Sequence, residues 1–112
     1  MYPAYVLTGA AHEHFRFNLK AGNGLTILTS EAYSSKAAAK IGIESVRVNS
    51  ALAERYDRRE AKDGRPYFVL KAANTQIIGQ SQMYSSTSAM EHGIASVQAN
   101  GPDSPIIDET VG

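Results

Sequence analysis

The chain repeats itself. Displacing the sequence by 51 residues lays residues 15–50 on residues 66–101 with matches well above the roughly two that ordinary composition gives by chance. The identities include Phe17/Phe68, Leu19/Leu70, Lys20/Lys71, Asn23/Asn74, Ser30/Ser81, Tyr33/Tyr84, Ser35/Ser86, Gly42/Gly93, Ile43/Ile94, Val46/Val97 and Asn49/Asn100. Tyr5 and Tyr56 match at the same shift, so the unit starts near residue 1 and is about 50 residues long. A solenoid needs three or more units to bury its core, so two units point to one pseudo-two-fold domain. The expected organisation is a single domain over residues 1–112, with repeats at about 1–51 and 52–102 and a short tail at 103–112.

Within a unit the hydrophobic period changes once. Phe15-Arg-Phe-Asn-Leu-Lys alternates, which predicts a half-buried strand with Phe15, Phe17 and Leu19 inward and Arg16, Asn18 and Lys20 outward. Asn23-Gly24 is a hairpin signal and Leu25–Ser30 resumes as a strand; the second copy has Asn74-Thr75 there, so a two-residue turn in both copies is not required. From Ser34-Ser35 the period lengthens, with a serine N-cap and Ala39, Ile43 and Val46 on one helical face; Met90, Ile94 and Val97 repeat this. Gly42 and Gly93 fall in mid-helix, where Ala is better by about 1 kcal/mol, which implies close approach to the sheet or to the other helix. Asn49 and Asn100 stand where a left-handed C-cap is expected.

Short first strands at Tyr5–Thr8 and Tyr56–Arg59 complete a β-β-β-α unit. Pro105-Ile-Ile-Asp adds a candidate last edge strand, in a tail from Pro102 otherwise expected to be partly disordered. The fold class that follows is α+β: β-β-β-α twice, one antiparallel sheet, two helices on one face, and the other face open to water.

Composition limits what this fold can do. Of 112 residues only 23 are Leu, Ile, Val or Phe, so the core is thin, while zero net charge separates the chain from charged disordered sequences. Eleven basic residues balance eleven acidic ones, so a nucleic-acid partner needs a local patch. The absence of cysteine excludes disulfides and thiolate chemistry. The first residues lack a basic and apolar leader pattern, and no apolar run approaches the roughly 18 residues of a membrane span. A cytoplasmic protein with no membrane association is expected.

The segments Phe17-Asn-Leu-Lys-Ala-Gly-Asn-Gly, Ile27-Leu-Thr-Ser-Glu-Ala-Tyr-Ser-Ser-Lys, Gly42-Ile-Glu-Ser-Val-Arg and Lys71-Ala-Ala-Asn-Thr-Gln-Ile-Ile-Gly-Gln-Ser-Gln-Met-Tyr closely resemble the YegP-like family of small uncharacterised bacterial proteins. The resemblance covers about residues 13–101 in both repeats. It implies a β3-α-β arrangement in tandem or in a dimer, with one shared sheet and exchanged C-terminal strands. It implies no activity and no site residues.

Candidate chemistry is sparse. His12-Glu13-His14 would place two imidazoles on one face of a strand, but no third ligand stands at metal spacing, so a polar loop is the simpler reading. His92 reads as a helix surface residue. No serine lies in a nucleophile elbow and none has an evident base; Ser34-Ser35 and Ser85-Ser86 read as caps. Ala21-Gly-Asn-Gly lacks the spacing of a phosphate loop. No catalytic residue, cofactor or metal is assigned.

Two groups of cations remain. Arg16, Lys20, Tyr67 and Lys71 form a candidate binding face on the outer side of the sheet, with Lys20 and Lys71 beside a turn Asn in both copies. Arg55, Arg58 and Arg59 lie in a stretch, Arg55–Arg65, with five basic and three acidic residues, a candidate basic edge. It reads first as a solvated strand edge whose charges deter aggregation, and second as a phosphate-backbone contact with aromatics for stacking. Pro66–Gly101 carries only Lys71 and Glu91 as formal charges, which favours protein contact over substrate chemistry. The expectation is a non-enzymatic binding or accessory module using the sheet face, with RNA or single-stranded nucleic acid as the alternative ligand and an unassigned enzyme as the remote one. The intramolecular pairing of repeats predicts a monomer.

Overall fold

The computed structural model describes residues 2–111. In chain order the elements are β1 (Ala4–Thr8), β2 (Arg16–Lys20), β3 (Thr26–Thr29), α1 (Lys36–Asn49), a 3₁₀ turn (Ala53–Arg55), β4 (Tyr56–Glu60), β5 (Pro66–Lys71), β6 (Ile77–Gln80), α2 (Thr87–Asn100) and β7 (Ile106–Asp108). The strands make one sheet in the order β4-β5-β6-β3-β2-β1-β7. The two units meet at β3 and β6, where the residue pair is Thr29 with Gln80. These residues are 51 apart, so each is the other's repeat equivalent and the pseudo-two-fold axis passes between them.

Each helix begins as its sequence requires. Ser35 Oγ accepts from Ala38 N–H at 3.0 Å and Ser86 Oγ from Ala89 N–H at 3.1 Å. The mid-helix glycines have a specific neighbour: a Cβ at Gly42 would collide with the Tyr33 hydroxyl, and one at Gly93 with the Tyr84 hydroxyl. Tyr33 stacks on Phe17 with centroids 6.1 Å apart, and Tyr84 on Phe68 at 6.4 Å. Tyr5 and Tyr56 meet the same phenylalanines at 5.9 and 5.6 Å. The thin aliphatic core is thus built around two aromatic triads, each pinned against a helix backbone.

The hairpins share one solution. Ala21, Ala61 and Ala72 each pair with the residue four positions on, and the loop's last residue, Gly24, Gly64 or Thr75, takes positive φ. Each is a three-residue loop whose last residue has positive φ and donates its N–H back to the alanine carbonyl. Asn23 and Asn74 are not the left-handed residues; their Oδ1 atoms accept from the N–H of Leu25 and Gln76, both at 3.0 Å. Nor do Asn49 and Asn100 form left-handed C-caps. Ser50 and Gly101 are the caps, both right-handed, while Asn49 and Asn100 donate back to the Ser45 and Ser96 carbonyls at 2.8 and 2.9 Å.

The units latch reciprocally. Tyr5 Oη donates to the Gly101 carbonyl at 2.5 Å, closing the end of α2, and Tyr56 Oη donates to the Ser50 carbonyl at 2.7 Å, closing the end of α1. This latch decides the direction of β7. Because Tyr5 holds the end of α2 and its N–H donates to the Pro105 carbonyl at 2.8 Å, the chain re-enters the sheet at the start of β1 and runs with it. The sheet is therefore mixed: β7 is parallel to β1, and every other neighbouring pair is antiparallel.

The tail from Pro102, read as partly disordered, is docked instead. Arg47 lies over the Tyr5 ring, 5.6 Å from its centroid, and donates through Nη2 to the Ser104 carbonyl at 2.7 Å. Lys36 Nζ meets the Asp108 carboxylate at 2.5 Å. Unit two has Gln98 and Thr87 at the positions equivalent to Arg47 and Lys36.

Candidate functional site

The strand register places one row of side chains across the sheet face opposite the helices. It runs Ile107, Val6, Asn18, Thr29, Gln80, Val69, Asp57, each paired with the next. With a side-chain period of two, Arg16 and Lys71 share this face on one side of the row, and Lys20 and Tyr67 share it on the other. Each couple spans β2 to β5, three strand spacings or about 14 Å, so the four residues outline a face without converging on a point. Val6 and Val69 are buried although they belong to this face and lie outside the hydrophobic core cluster.

The cations of this face are unequally engaged. Asp57 receives Arg59 Nε at 3.0 Å and Lys71 Nζ at 3.2 Å, and these two contacts hold its carboxyl below the ordinary range. Lys20 Nζ sits 5.7 Å from the centroid of the Tyr2 ring. Tyr67 lies opposite Arg59 in the β4–β5 register. Arg16 is exposed and has no carboxylate partner among the described residues.

Arg16 also lines a cleft of about 510 Å³, together with Thr29, Glu31, Gln80 and Gln82. The cleft has a local cause. Ser30 Oγ accepts from Phe17 N–H at 2.9 Å and donates to the Glu31 carbonyl at 2.7 Å; Ser81 does the same with Phe68 N–H at 3.0 Å and the Gln82 carbonyl at 2.8 Å. Each serine ends its strand, β3 and β6 keep a single residue pair, and the ends separate around the axis. The lining offers a guanidinium, two amides, the hydroxyls of Thr26 and Thr29, and a carboxylate. The buried serine hydroxyls are committed to backbone partners, so they are hydrogen-bonding struts and not nucleophiles.

Glu31, Gln80 and Gln82 were not legible as site residues. Their one signal is that Thr29/Gln80 and Glu31/Gln82 break the repeat identity while staying polar, on either side of the retained Ser30/Ser81.

The candidate basic edge is not one patch. Arg55 Nε donates to Asn49 Oδ1 at 2.9 Å, turned back onto α1. Arg58 is on the helix side, where Nε and Nη2 meet the Glu91 carboxylate at 2.6 and 2.9 Å and hold it below its usual range. Arg59 alone reaches the outer face. Adjacent strand residues point to opposite faces, so the Arg58 and Arg59 guanidinium groups diverge, one to Glu91 and the other to Asp57.

His12 and His14 lie in the exposed β1–β2 loop and not on a strand, with His12 at φ 68°. Among the described residues no three metal-ligating side chains cluster, and no helix is long and apolar enough to cross a membrane.

Comparison with known proteins agrees with the repeat. The family described as Domain of unknown function (DUF1508) matches twice, at residues 10–57 and 61–108. UPF0339 protein YegP of Shigella flexneri is 56% identical over 106 residues, covering 95% of this chain and 96% of the relative. A UPF0339 protein of Bordetella pertussis is 51% identical over the same shares. The solution NMR structure of yegP from Escherichia coli, described as a protein of unknown function, superposes with a TM-score of 0.91 at 53% identity, covering 100% of this chain and 97% of that one. That of a UPF0339 protein from Shewanella oneidensis gives 0.89 at 54% identity, covering 96% and 91%. With both repeats matched and the full-length fold shared, the chain belongs to the YegP-like UPF0339 family of uncharacterised bacterial proteins, built from two tandem DUF1508 units.

Proposed function

We propose that this chain is a non-enzymatic binding or accessory module of the bacterial cytoplasm, working as a monomer through its outer sheet face. The observation that carries the reading is the axial cleft. It holds one cation, Arg16, which has no carboxylate partner within ion-pair distance among the described residues, and one carboxylate, Glu31, while Thr29, Gln80 and Gln82 recognise by hydrogen bonding without charge. Such a surface suits a polar protein segment. Nucleic acid fits less well, because Arg55, Arg58 and Arg59 diverge and are each hydrogen-bonded within the chain.

The test is affinity capture from bacterial lysate with and without nuclease, beside a variant carrying Arg16→Ala, Lys20→Ala and Lys71→Ala. Recovery of one protein despite nuclease, lost in the variant, is the expected result. A nuclease-sensitive catch lost in the variant would transfer the face to nucleic acid.

A further inference from the structure

β1 and β4 hold equivalent places in the two repeats, and their outward edges are unlike in structure. On one edge, β1 exposes the backbone of Tyr5, Leu7 and Gly9, and β7 covers it: Tyr5 N–H donates to the Pro105 carbonyl, Glu109 N–H to Leu7, and Val111 N–H to Gly9, each at 2.8 Å. On the other edge the repeat equivalents are Tyr56, Arg58 and Glu60. Ala61 N–H donates to the Arg65 carbonyl, so Asp57, Arg59 and Ala61 bond inward to β5; Arg58 and Glu60 direct their N–H and C=O groups outward, and Tyr56 offers its C=O alone, because its N–H donates to the Ala53 carbonyl of the 3₁₀ turn. Among the described residues no strand pairs with that edge.

The flanking surface repeats as well. Asp108 stands opposite Leu7 and reaches Lys36 in the first turn of α1. The pseudo-symmetric place is a cleft of about 430 Å³ lined by Arg58, Glu60, Pro66, Thr87 and Met90, with Thr87 in the first turn of α2. That first turn carries no acidic residue, so its free N–H groups favour an anion.

We infer that the β4 edge is a docking site for an extended peptide that adds parallel to β4, placing an apolar residue opposite Tyr56 and an acidic residue two positions later opposite Arg58 and the first turn of α2. The chain itself shows what such an edge accepts, because β7 does this on β1 with Ile106 opposite Tyr5 and Asp108 opposite Leu7. Ile106 packs against the core, and the side chain opposite Tyr56 has the corresponding place. The acidic residue shares Arg58 with Glu91, which already accepts from it. Backbone bonds supply most of such binding and alternate side chains supply the selectivity. A second copy using the same edge about Arg58 would set like arginines against each other, so a heterologous peptide is the occupant. The site is separate from the outer-face cleft, and either can fail without the other.

The probe is a capped synthetic peptide, Ser-Pro-Ile-Ile-Asp-Glu-Thr-Val, the sequence of residues 104–111, titrated into the isotopically labelled full chain and followed by amide chemical shifts. Shifts are expected at Tyr56, Arg58, Glu60 and Thr87–Met90. Arg58→Pro, which removes an outward N–H while leaving the inward β4–β5 bonds, should abolish them. Thr87→Lys, which supplies the counterpart of Lys36, should tighten binding about threefold, and a peptide with Asn for Asp should lose that gain. Should Arg58→Pro fail to fold, Thr87→Lys with the two peptides decides alone. No shifts at millimolar peptide, shifts centred on β1 or on the outer-face row, or equal affinity of wild type and Thr87→Lys would overturn the inference.

Discussion

Gly42→Ala separates two physical accounts of the mid-helix glycines. Helix propensity alone makes the change stabilising by about 1 kcal/mol. The structure puts the new Cβ 2.6 Å from Tyr33 Cζ and 3.1 Å from Phe17 Cε2, with the hydroxyl closer still. Tyr33 cannot swing aside freely, because it stacks on Phe17 at an interplanar angle of 14°. Overpacking costs about 1–3 kcal/mol and loss of the aromatic pair about 0.5–1.5 kcal/mol, so the net effect is a destabilisation of about 2 kcal/mol. For a chain of this size that lowers Tm by about 8 °C. In a Tyr33→Leu background the obstacle is gone and Gly42→Ala should become neutral or stabilising, a coupling of about 2–3 kcal/mol. Thermal and urea unfolding of the four variants measures it, and Gly93 with Tyr84 should behave alike. Gly42→Ala raising Tm in the wild-type background, or strict additivity in the cycle, would refute the steric reasoning.

Thr75 holds φ 72° in a turn whose equivalents carry glycine, so Thr75→Gly should stabilise by about 1 kcal/mol in urea unfolding. Tyr5→Phe and Tyr56→Phe each remove a buried hydrogen bond to a helix C-cap and should cost about 1–2 kcal/mol, read as a lower urea midpoint with unchanged slope. Burial pushes both phenols well above their ordinary value of 10.0; their folded pKa exceeds the unfolded one, so this contribution is complete below pH 10.0 and lost as pH rises further. Ultraviolet titration should therefore show two of the six tyrosines ionising only as the chain unfolds. Lys36 and Thr110 hold the Asp108 carboxyl well below its ordinary 3.8, so its contribution stands above that pH and is lost as pH falls through the lowered value. Protection of the Glu109 and Val111 amides, corrected for intrinsic exchange, should fall in that acid range and should be low at every pH in Asp108→Asn.

Much of the fold was legible because local rules agreed with tertiary demands. Phe17 and Leu19 alternate with Asn18, Ser35 and Ser86 cap the helices, and the repeat implied the two-fold. The direction of β7 was not legible. Alternation identifies a strand without naming its neighbour, and the neighbour here is chosen by Arg47 and Tyr5, both more than 50 residues away in sequence. The left-handed C-caps expected at Asn49 and Asn100 were misplaced because Asn side chains can also bond back to the helix, and here they donate to the Ser45 and Ser96 carbonyls while the chain stays right-handed at Ser50 and Gly101. Of the candidate face, Arg16 was read from alternation, whereas Glu31 and Gln82 lie past the strand ends, where no periodicity points.

The sequence differences between the repeats carry information that the identities do not. A residue that meets its own equivalent across the axis cannot be large twice. Leu28 fills the space where a Cβ on Gly79 would stand 2.7 Å from its Cγ, and Ser50 crowds the Cβ position of Gly101. At both points one unit keeps the side chain and the other gives way to glycine. Away from the axis the pressure is absent and Phe17/Phe68, Tyr33/Tyr84 and Ile27/Ile78 stay identical. Functional divergence should then be sought where the repeats differ without an axial reason: Lys36 against Thr87, Arg47 against Gln98, and Leu7 against Arg58. These three differences all concern the outer edges of the sheet, where one unit is closed by β7 and the other carries charge on a strand whose outer edge has no partner among the described residues.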